Sequence, residues 1–294
     1  MHILLTGGTG FIGNALVPHL LTQKHTLTIL SRSSHTDTEG CRYIQDLGEL
    51  ADNAQIDAVI NLAGASLAGA RWTASYKREI VDSRLETTRQ LVACMTRLQV
   101  PPAVLLNASA IGYYGHGDQP VTEKDSAGEG FSADLCSRWE EAALHAEALG
   151  TRVCLCRFGV VLDAGGGAFE ELFRPFRFGL ANWIGSGHQW LSWVHRSDVV
   201  AALTFLLDHS ELSGPFNVTA PEPVTGRGMC DAIKHQRKTL LTAPVPATVM
   251  RIMLGEMADE LLINGQKVLP ERLTHSGFTF SYPTIKKALH AILA

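Results

Sequence analysis

Leu4-Leu5-Thr6-Gly7-Gly8-Thr9-Gly10-Phe11-Ile12-Gly13 decides the fold, because an apolar run passes through a glycine-rich turn straight into a helical pattern. Ile3-Leu4-Leu5 suits a central parallel strand, and Asn14 to Leu21 carries its leucines on one helical face. Gly7 allows the tight turn, Gly10 admits a pyrophosphate close to the backbone, and Gly13 lets helix and strand pack closely. Phe11 and Ile12 lie between them, where the first N–H groups of the helix and its dipole favour an anion. Strand, turn and helix in that order read as a dinucleotide site, a far more specific signal than three glycines alone.

Outward from this turn, Thr26-Leu27-Thr28-Ile29-Leu30 is a second strand, and it ends in Ser31-Arg32-Ser33-Ser34. An Asp or Glu at this position accepts hydrogen bonds from a ribose 2′-OH, whereas an Arg holds a 2′-phosphate. No carboxylate occurs from Leu27 to Thr36, so the expected cofactor is NADP(H). Arg32 supplies forked, permanently charged donors, and Ser31 and Ser33 supply hydroxyls. The alternative is a solvated Arg in a polar loop.

A third strand is read at Cys41–Ile44 and a fourth over Asp57–Gly64, whose carboxyl end carries Leu62, Ala63 and Gly64. Ligands of doubly wound sheets lie outside such ends, so Leu62 and Ala63 offer backbone with little bulk where a cofactor passes, or a plain exit to the next loop. A long helix runs from about Ala74 to Leu98, with Glu79 and Arg84 near its loop end; exposed charge is the default for both. Pro101-Pro102 stops it, and Ala103–Asn107 is a fifth strand leading to Ala108-Ser109-Ala110. A sixth strand follows at Arg152–Arg157, Ser197-Asp198 caps a helix over Val199–Leu207, and Gly214–Val218 is a late strand returning to the sheet. The alternation gives an α/β fold: a Rossmann-type doubly wound parallel sheet over residues 1–162, and a smaller discontinuous lobe over 163–294.

Composition bounds the function. With 294 residues, 46% of them hydrophobic, the chain can bury a substantial core. A net charge of −4 and a pI near 6.3 supply no basic surface for nucleic acid or an anionic membrane. No apolar run is long enough to span a bilayer and no signal peptide precedes the first strand, so a cytoplasmic location is expected. The cysteines at 41, 94, 136, 154, 156 and 230 lack ligand spacing, so reduced thiols and no metal are expected.

From Met1 to about Asn217 the chain resembles the extended short-chain dehydrogenase/reductase superfamily: the GGTGFIG turn, Asn61-Leu62-Ala63-Gly64, Ser109 after the fifth strand, and Tyr114-Gly115. It is most similar to the atypical branch called epimerase family proteins, which are NAD-dependent epimerase/dehydratase-like. Arg71-Trp72, Asp82-Ser83-Arg84, Ser109-Ala110-Ile111-Gly112-Tyr113-Tyr114-Gly115, Trp139-Glu140, Arg157 to Leu162 and Ile184-Gly185-Ser186-Gly187 carry that likeness. A terminal segment like Leu254–Ala294 extends it over nearly the whole chain. The resemblance implies a nicotinamide cofactor touched by Glu79, Arg84 and Val160 as well as by the turn, a small-molecule substrate, and a monomer or a homodimer formed through the helices at 74–98 and 134–149.

Superfamily chemistry uses a Tyr to move a proton, a Lys four residues later to lower its pKa, and a Ser to hold the substrate oxygen. Over Phe131–Glu140 there is no Tyr-x-x-x-Lys. Counting back from Glu140 places Asp134 at the Tyr position and Arg138 at the Lys position, as an altered relay or as a surface ion pair. Ser109 either orients a substrate carbonyl or caps its turn, and Tyr113 or Tyr114 is a candidate displaced acid. The expected function is therefore an NADP(H)-dependent oxidoreductase or epimerase-like activity on a small carbonyl, alcohol or sugar-derived substrate. The alternative is an NADPH-binding protein without turnover. Gly115–Gly130 reads as a flap or a polar connection, and the two Trp and two His of Ile184–Asp198 read as a grip for a ring or an anion, or as half-buried packing.

Overall fold

The computed structural model describes all 294 residues. The first half of the chain runs β1 (His2–Thr6), α1 (Gly13–Thr22), β2 (Thr26–Leu30), β3 (Cys41–Ile44), β4 (Ala58–Asn61), α2 (Ala74–Arg97), β5 (Val104–Ala110), β6 (Gly117–Val121) and α3 (Phe131–Leu144). It continues with β7 (Arg152–Phe158), β8 (Val160–Leu162), α4 (Gly167–Phe173), β9 (Leu180–Ile184), β10 (Trp190–Leu191), β11 (Trp193–His195), α5 (Arg196–Asp208) and β12 (Gly214–Val218). Last come β13 (Val224–Thr225), α6 (Gly226–Gln236), β14 (Leu241–Val245), α7 (Ala247–Leu254), α8 (Glu256–Ala258), β15 (Gln266–Val268), α9 (Glu271–His275) and α10 (Ile285–Leu293).

Seven strands form one sheet in the order β12-β7-β5-β4-β1-β2-β3, every pairing parallel. The strands are apolar on both faces because both are covered. Ile3 and Leu5 join the core containing Leu16 and Leu20 of α1 and Leu203 and Leu206 of α5. Leu4 points the other way, into a core with Leu91, Cys94 and Met95 of α2. This is the burial expected of a doubly wound sheet, and it confirms the α/β class read from the sequence.

A separate apolar cluster joins Phe169, Phe173, Phe176, Trp193, Met229, Ile233 and Leu289, all contributed from beyond Val161. Two-stranded pieces surround it: β8 with β11, β9 with β14, and β10 with β13. The segment expected as flap or polar connection instead contains β6, which pairs with β15 and ties the late chain back beside the main sheet. The α5 cap also differs from expectation. His195 Nδ1 accepts from the Ser197 N–H at 3.1 Å, while the Asp198 carboxylate accepts the N–H groups of Ser281 and Tyr282 at 2.8 and 2.9 Å. A sequence places Asp near a helix start but does not say which orphan N–H groups its carboxylate meets. His195 also stacks on Tyr282, so it serves packing as well as the cap.

Candidate functional site

Topology places the site first. From β1 the chain moves outward to β2 and β3, then returns to the other side of β1 with β4 and β5, so the strand order reverses between β1 and β4. The glycine turn follows one of these strands and Leu62-Ala63-Gly64 the other, and the crevice between such strand ends is where α/β sheets bind ligands. Gly7 has φ +68°, and a Cβ there would stand 2.5 Å from Leu62 O, so the two turns touch only because Gly7 has no side chain. A Cβ on Gly13 would collide with Gly7 O and Gly8, which sets the close entry of α1. Gly10 differs: its N–H bonds Gly7 O at 3.0 Å, it is exposed, and a Cβ would meet Gly7 O at 3.2 Å.

Beneath these turns lies a buried polar network. Thr6 Oγ1 donates to Asn61 Oδ1 at 2.6 Å, and Asn61 Nδ2 donates to Thr88 Oγ1 at 2.8 Å and Asn107 Oδ1 at 2.7 Å. Trp139 Nε1 donates to Thr88 as well, at 3.0 Å. With every member paired, the network fixes the carboxyl ends of β1, β4 and β5 against α2 and α3.

At the end of β2, Ser31 is half-buried and Arg32 is exposed and makes no ion pair. Ser31 Oγ accepts the Ser33 N–H at 3.3 Å, and Arg32 O accepts from Gln45 Nε2 at 3.3 Å, so the backbone is held while the guanidinium stays open. Phe11 packs on the far side of the turn, its ring against Gly166 and Gly167 and 4.7 Å from the Arg196 guanidinium. Arg196 donates to Phe11 O at 3.2 Å and pairs with Asp163 at 2.6 Å. Sequence reasoning did not single out the Arg196–Asp163 clamp, because its partners are 33 residues apart. Ile12 is half-buried against the main core.

Arg84 lies against the other turn. Its Nη1 and Nη2 donate to Ile80 O and Ala65 O at 3.0 and 3.1 Å, a Cβ on Gly64 would reach its Cζ at 2.9 Å, and its guanidinium sits over the Trp139 ring at 5.3 Å. It has no carboxylate partner, and burial lowers its pKa. Glu79 is exposed at the start of α2 with no side-chain partner. Val160 is half-buried beyond β7, with its N–H on Ser192 O at 2.9 Å. The structure therefore brings the glycine turn, Leu62, Ala63 and Arg84 together, with Ser31 and Arg32 at one end of the crevice.

The conventional chemical end is rearranged. Ser109 is only 2% exposed, and its hydroxyl donates to Glu140 Oε1 at 2.6 Å. Glu140 is held by Arg157 Nε and Nη2 at 2.8 and 2.7 Å, and Arg157 Nη1 donates to Tyr114 Oη at 2.8 Å. Tyr114 Oη in turn donates to Asn217 Oδ1 at 2.7 Å. Burial pushes the Tyr114 hydroxyl up to about 12 despite Arg157 beside it. Burial pulls the Arg157 value down, but the Glu140 carboxylate more than offsets this and its net shift is upward. A hydroxyl has one proton, so Ser109 has none left to hold a substrate oxygen while this pair is intact. Tyr113 is half-buried, and the Arg157 guanidinium lies 3.5 Å from the centre of its ring.

On α3, Asp134 and Arg138 face outward as an exposed ion pair at 3.2 Å, with the Asp134 side chain 65% exposed. Of the two readings of this pair, altered relay or surface ion pair, the structure shows the ion pair. The α3 residue beside Ser109 and Ala110 is Cys136, whose thiol burial pushes up to about 11. One turn earlier on the same inner face is Ser132, its Cβ 3.0 Å from where a Cβ on Gly112 would stand. An i, i+4 spacing fits either face of a helix. Burial periodicity would have separated them: Glu140, Cys136 and Ser132 share the stripe with Ala133 and Trp139, whereas Asp134, Arg138 and Glu141 do not.

Residues 3–219 match the sequence model of the NAD dependent epimerase/dehydratase family, and residues 245–292 match a domain of unknown function, DUF1731. The epimerase family protein Mb2239 of Mycobacterium bovis is 39% identical over 290 residues, covering 98% of this chain and 96% of the relative. The epimerase family protein YfhF of Bacillus subtilis is 37% identical over 301 residues, covering 100% and 98%. Among solved structures, human epimerase family protein SDR39U1 with NADPH is similar with a TM-score of 0.90 and 32% identity, covering 100% of this chain and 99% of that one.

Proposed function

The chain belongs to the NAD-dependent epimerase/dehydratase family, and on that premise we propose that it binds NADP(H) across the crevice between β1 and β4 as an NADP(H)-dependent oxidoreductase or epimerase-like enzyme. The substrate class is a small carbonyl, alcohol or sugar-derived molecule. The observation that carries the cofactor choice is the end of β2, where Ser31 and the unpaired Arg32 stand with no carboxylate to meet a ribose 2′-OH. The NADPH of the human relative supports the same choice. The fit to the fold is direct: Gly10 leaves the turn open to a pyrophosphate, Phe11 and Ile12 lead into the α1 N-terminus, and Leu62, Ala63 and Arg84 form the opposite wall. Glu79 and Val160 complete the proposed cofactor contacts at the α2 and β8 ends. When bound, the nicotinamide supplies hydride chemistry, and the chain binds and orients it.

A second reading, NADPH binding without turnover, is favoured by one specific observation: the Ser109 proton is committed to Glu140, and α3 carries Ser132 and Cys136 on its inner face and neither tyrosine nor lysine. Tyr113 is the tyrosine of this region whose hydroxyl is not taken up by Arg157 and Asn217. Calorimetric titration with NADPH, NADP, NADH and NAD in parallel tests the cofactor assignment, and a carbonyl and alcohol screen with the best binder separates the two readings. Binding that depends on the 2′-phosphate supports both; oxidation of bound NADPH by any screened compound supports the first alone. Absence of binding by all four nucleotides overturns both. In the cell we place this activity in the cytoplasm, with the protein as monomer or homodimer. No helix is long and apolar enough to cross a membrane.

A further inference from the structure

Ser132 stands on the inner face of α3 beside Gly112, and its hydroxyl donates to Glu260 Oε2 at 2.6 Å. The Ser132 N–H approaches the same oxygen at 3.3 Å, and a Cβ on Gly130 would stand 2.9 Å from Glu260 Oε1, so the carboxylate fits where this glycine leaves room. Glu260 is carried on a single π-turn, Asp259–Ile263, a rare geometry that recurs at functional sites. The turn is fixed on both sides. Met257 is buried with Trp72, Ile80 and Leu135, and just beyond the turn Gln266 Nε2 donates to Ile111 O at 3.0 Å. Both Ser132 and Glu260 are half-buried, unlike the sealed Ser109–Glu140–Arg157 network behind them.

Resting on the cofactor reading above, we propose that Glu260 and Ser132 are the proton-transfer pair of this site, with the carboxylate of the late chain taking over the acid–base role that Tyr-x-x-x-Lys plays elsewhere. In alcohol oxidation, the carbinol C–H bond breaks with its electron pair passing as hydride to the oxidised nicotinamide. The alcohol proton moves to Ser132 Oγ, the Ser132 proton moves to Glu260 Oε2, and the C=O bond forms. Carbonyl reduction runs the same transfers backwards, and solvent resets the proton on Glu260. Ser132 is the group that touches the substrate oxygen; Glu260 acts through it and, as a fixed negative charge at that end of the crevice, favours the positively charged oxidised nicotinamide over the neutral reduced one.

That last consequence is measurable without a substrate. Affinities for NADP⁺ and NADPH are measured by calorimetry at neutral pH on the full chain. The other charged groups around Glu260 are Glu256, paired with Lys77 of α2; Asp259, paired with Arg251 of α7; Asp134, paired with Arg138 on α3; Arg71 near Gly255; and exposed Glu129 before Gly130. The expected result is a loss of about fivefold in the NADP⁺-to-NADPH affinity ratio at neutral pH in Glu260→Gln. Glu129→Gln, which neutralises an exposed carboxylate beside Gly130, keeps the ratio. A role for Glu260 that is only structural lowers both affinities together, or the melting temperature alone. An unchanged ratio in Glu260→Gln, with both nucleotides still bound, overturns the proposal and leaves the cofactor reading standing. Failure of wild-type protein to bind either nucleotide overturns the cofactor reading and the proposal with it.

Discussion

Glu140 and Arg157 meet through two parallel hydrogen bonds of 2.7 and 2.8 Å, their side chains only 6% and 4% exposed, directly behind Ser109. Each belongs to a buried face: Glu140 to the inner stripe of α3 and Arg157 to β7, whose neighbouring residues Cys156 and Phe158 are also buried. The pair is the junction of α3, β5, β7 and β12, because Ser109 and Tyr114 attach to it and Asn217 attaches to Tyr114.

Breaking this pair from one side leaves an uncompensated charge in the interior. Glu140→Ala is expected to cost about 3–5 kcal/mol of stability, read from the denaturant midpoint at unchanged slope. Replacing both partners, Glu140→Leu with Arg157→Met, is expected to cost clearly less, since no charge is then left without a partner. A double variant as unstable as the single one would show that the stability comes from the network geometry and not from the charge balance.

Ser109→Ala removes a hydroxyl that serves Glu140. The expected outcome is a loss of about 1–2 kcal/mol in unfolding experiments with NADPH affinity unchanged within about twofold. A large fall in NADPH affinity with stability intact would instead place the hydroxyl in the crevice.

Arg32→Ala separates the two nicotinamide nucleotides. If the guanidinium pairs with a 2′-phosphate, the variant loses about tenfold to a hundredfold in NADPH affinity, the worth of one or two charge-assisted hydrogen bonds. NADH, which lacks the phosphate, changes by less than about threefold. Equal losses for both nucleotides would remove Arg32 from the 2′-phosphate site.

The glycines of the turn predict two kinds of failure. Gly13→Ala drives a Cβ into Gly7 O and Gly8, so it should lower both the melting temperature and cofactor binding. Gly10→Ala meets only Gly7 O at 3.2 Å and faces solvent, so it should leave the melting temperature within a few degrees while cutting NADPH affinity about tenfold or more. Melting curves without nucleotide and calorimetry with it distinguish the two.

What the sequence made legible follows from what buries locally. The seven main strands and their flanking helices announce themselves through apolar runs such as Ile3-Leu4-Leu5 and through Pro101-Pro102. The small sheets do not, because β6 and β14, Gly117–Val121 and Leu241–Val245, are exposed, contain proline, and take partners far away in the chain. The crevice was readable for the same reason as the strands: its glycines and the acid-free end of β2 are contiguous in sequence. The chemistry was not, because Ser109 with Glu140, and Ser132 with Glu260, become neighbours only across 31 and 128 residues.

His195 gives a prediction in pH. Burial lowers its pKa below the ordinary 6.5, because the charged imidazolium is poorly solvated beneath Tyr282; Asp163 and Asp198 offset this only in part. Below pH 6.5 the unfolded chain therefore takes up a proton before the folded one does, so the contribution of His195 to stability is present at neutral pH and is lost as pH falls through 6.5 towards the lowered folded value. The slope reaches at most about 1.4 kcal/mol per pH unit for this one proton. Asp198 and Glu123, both raised by burial, work in the opposite sense but above the ordinary carboxylate range, while His25, also lowered by burial, acts in the same direction as His195. His195→Asn keeps an acceptor for the Ser197 N–H and does not titrate. Unfolding free energies measured from pH 7.5 to 5 should fall less steeply in His195→Asn than in the wild type, with the two curves converging at acid pH. Parallel curves would mean that the imidazole titrates alike in the folded and unfolded chain, without the downward shift from burial.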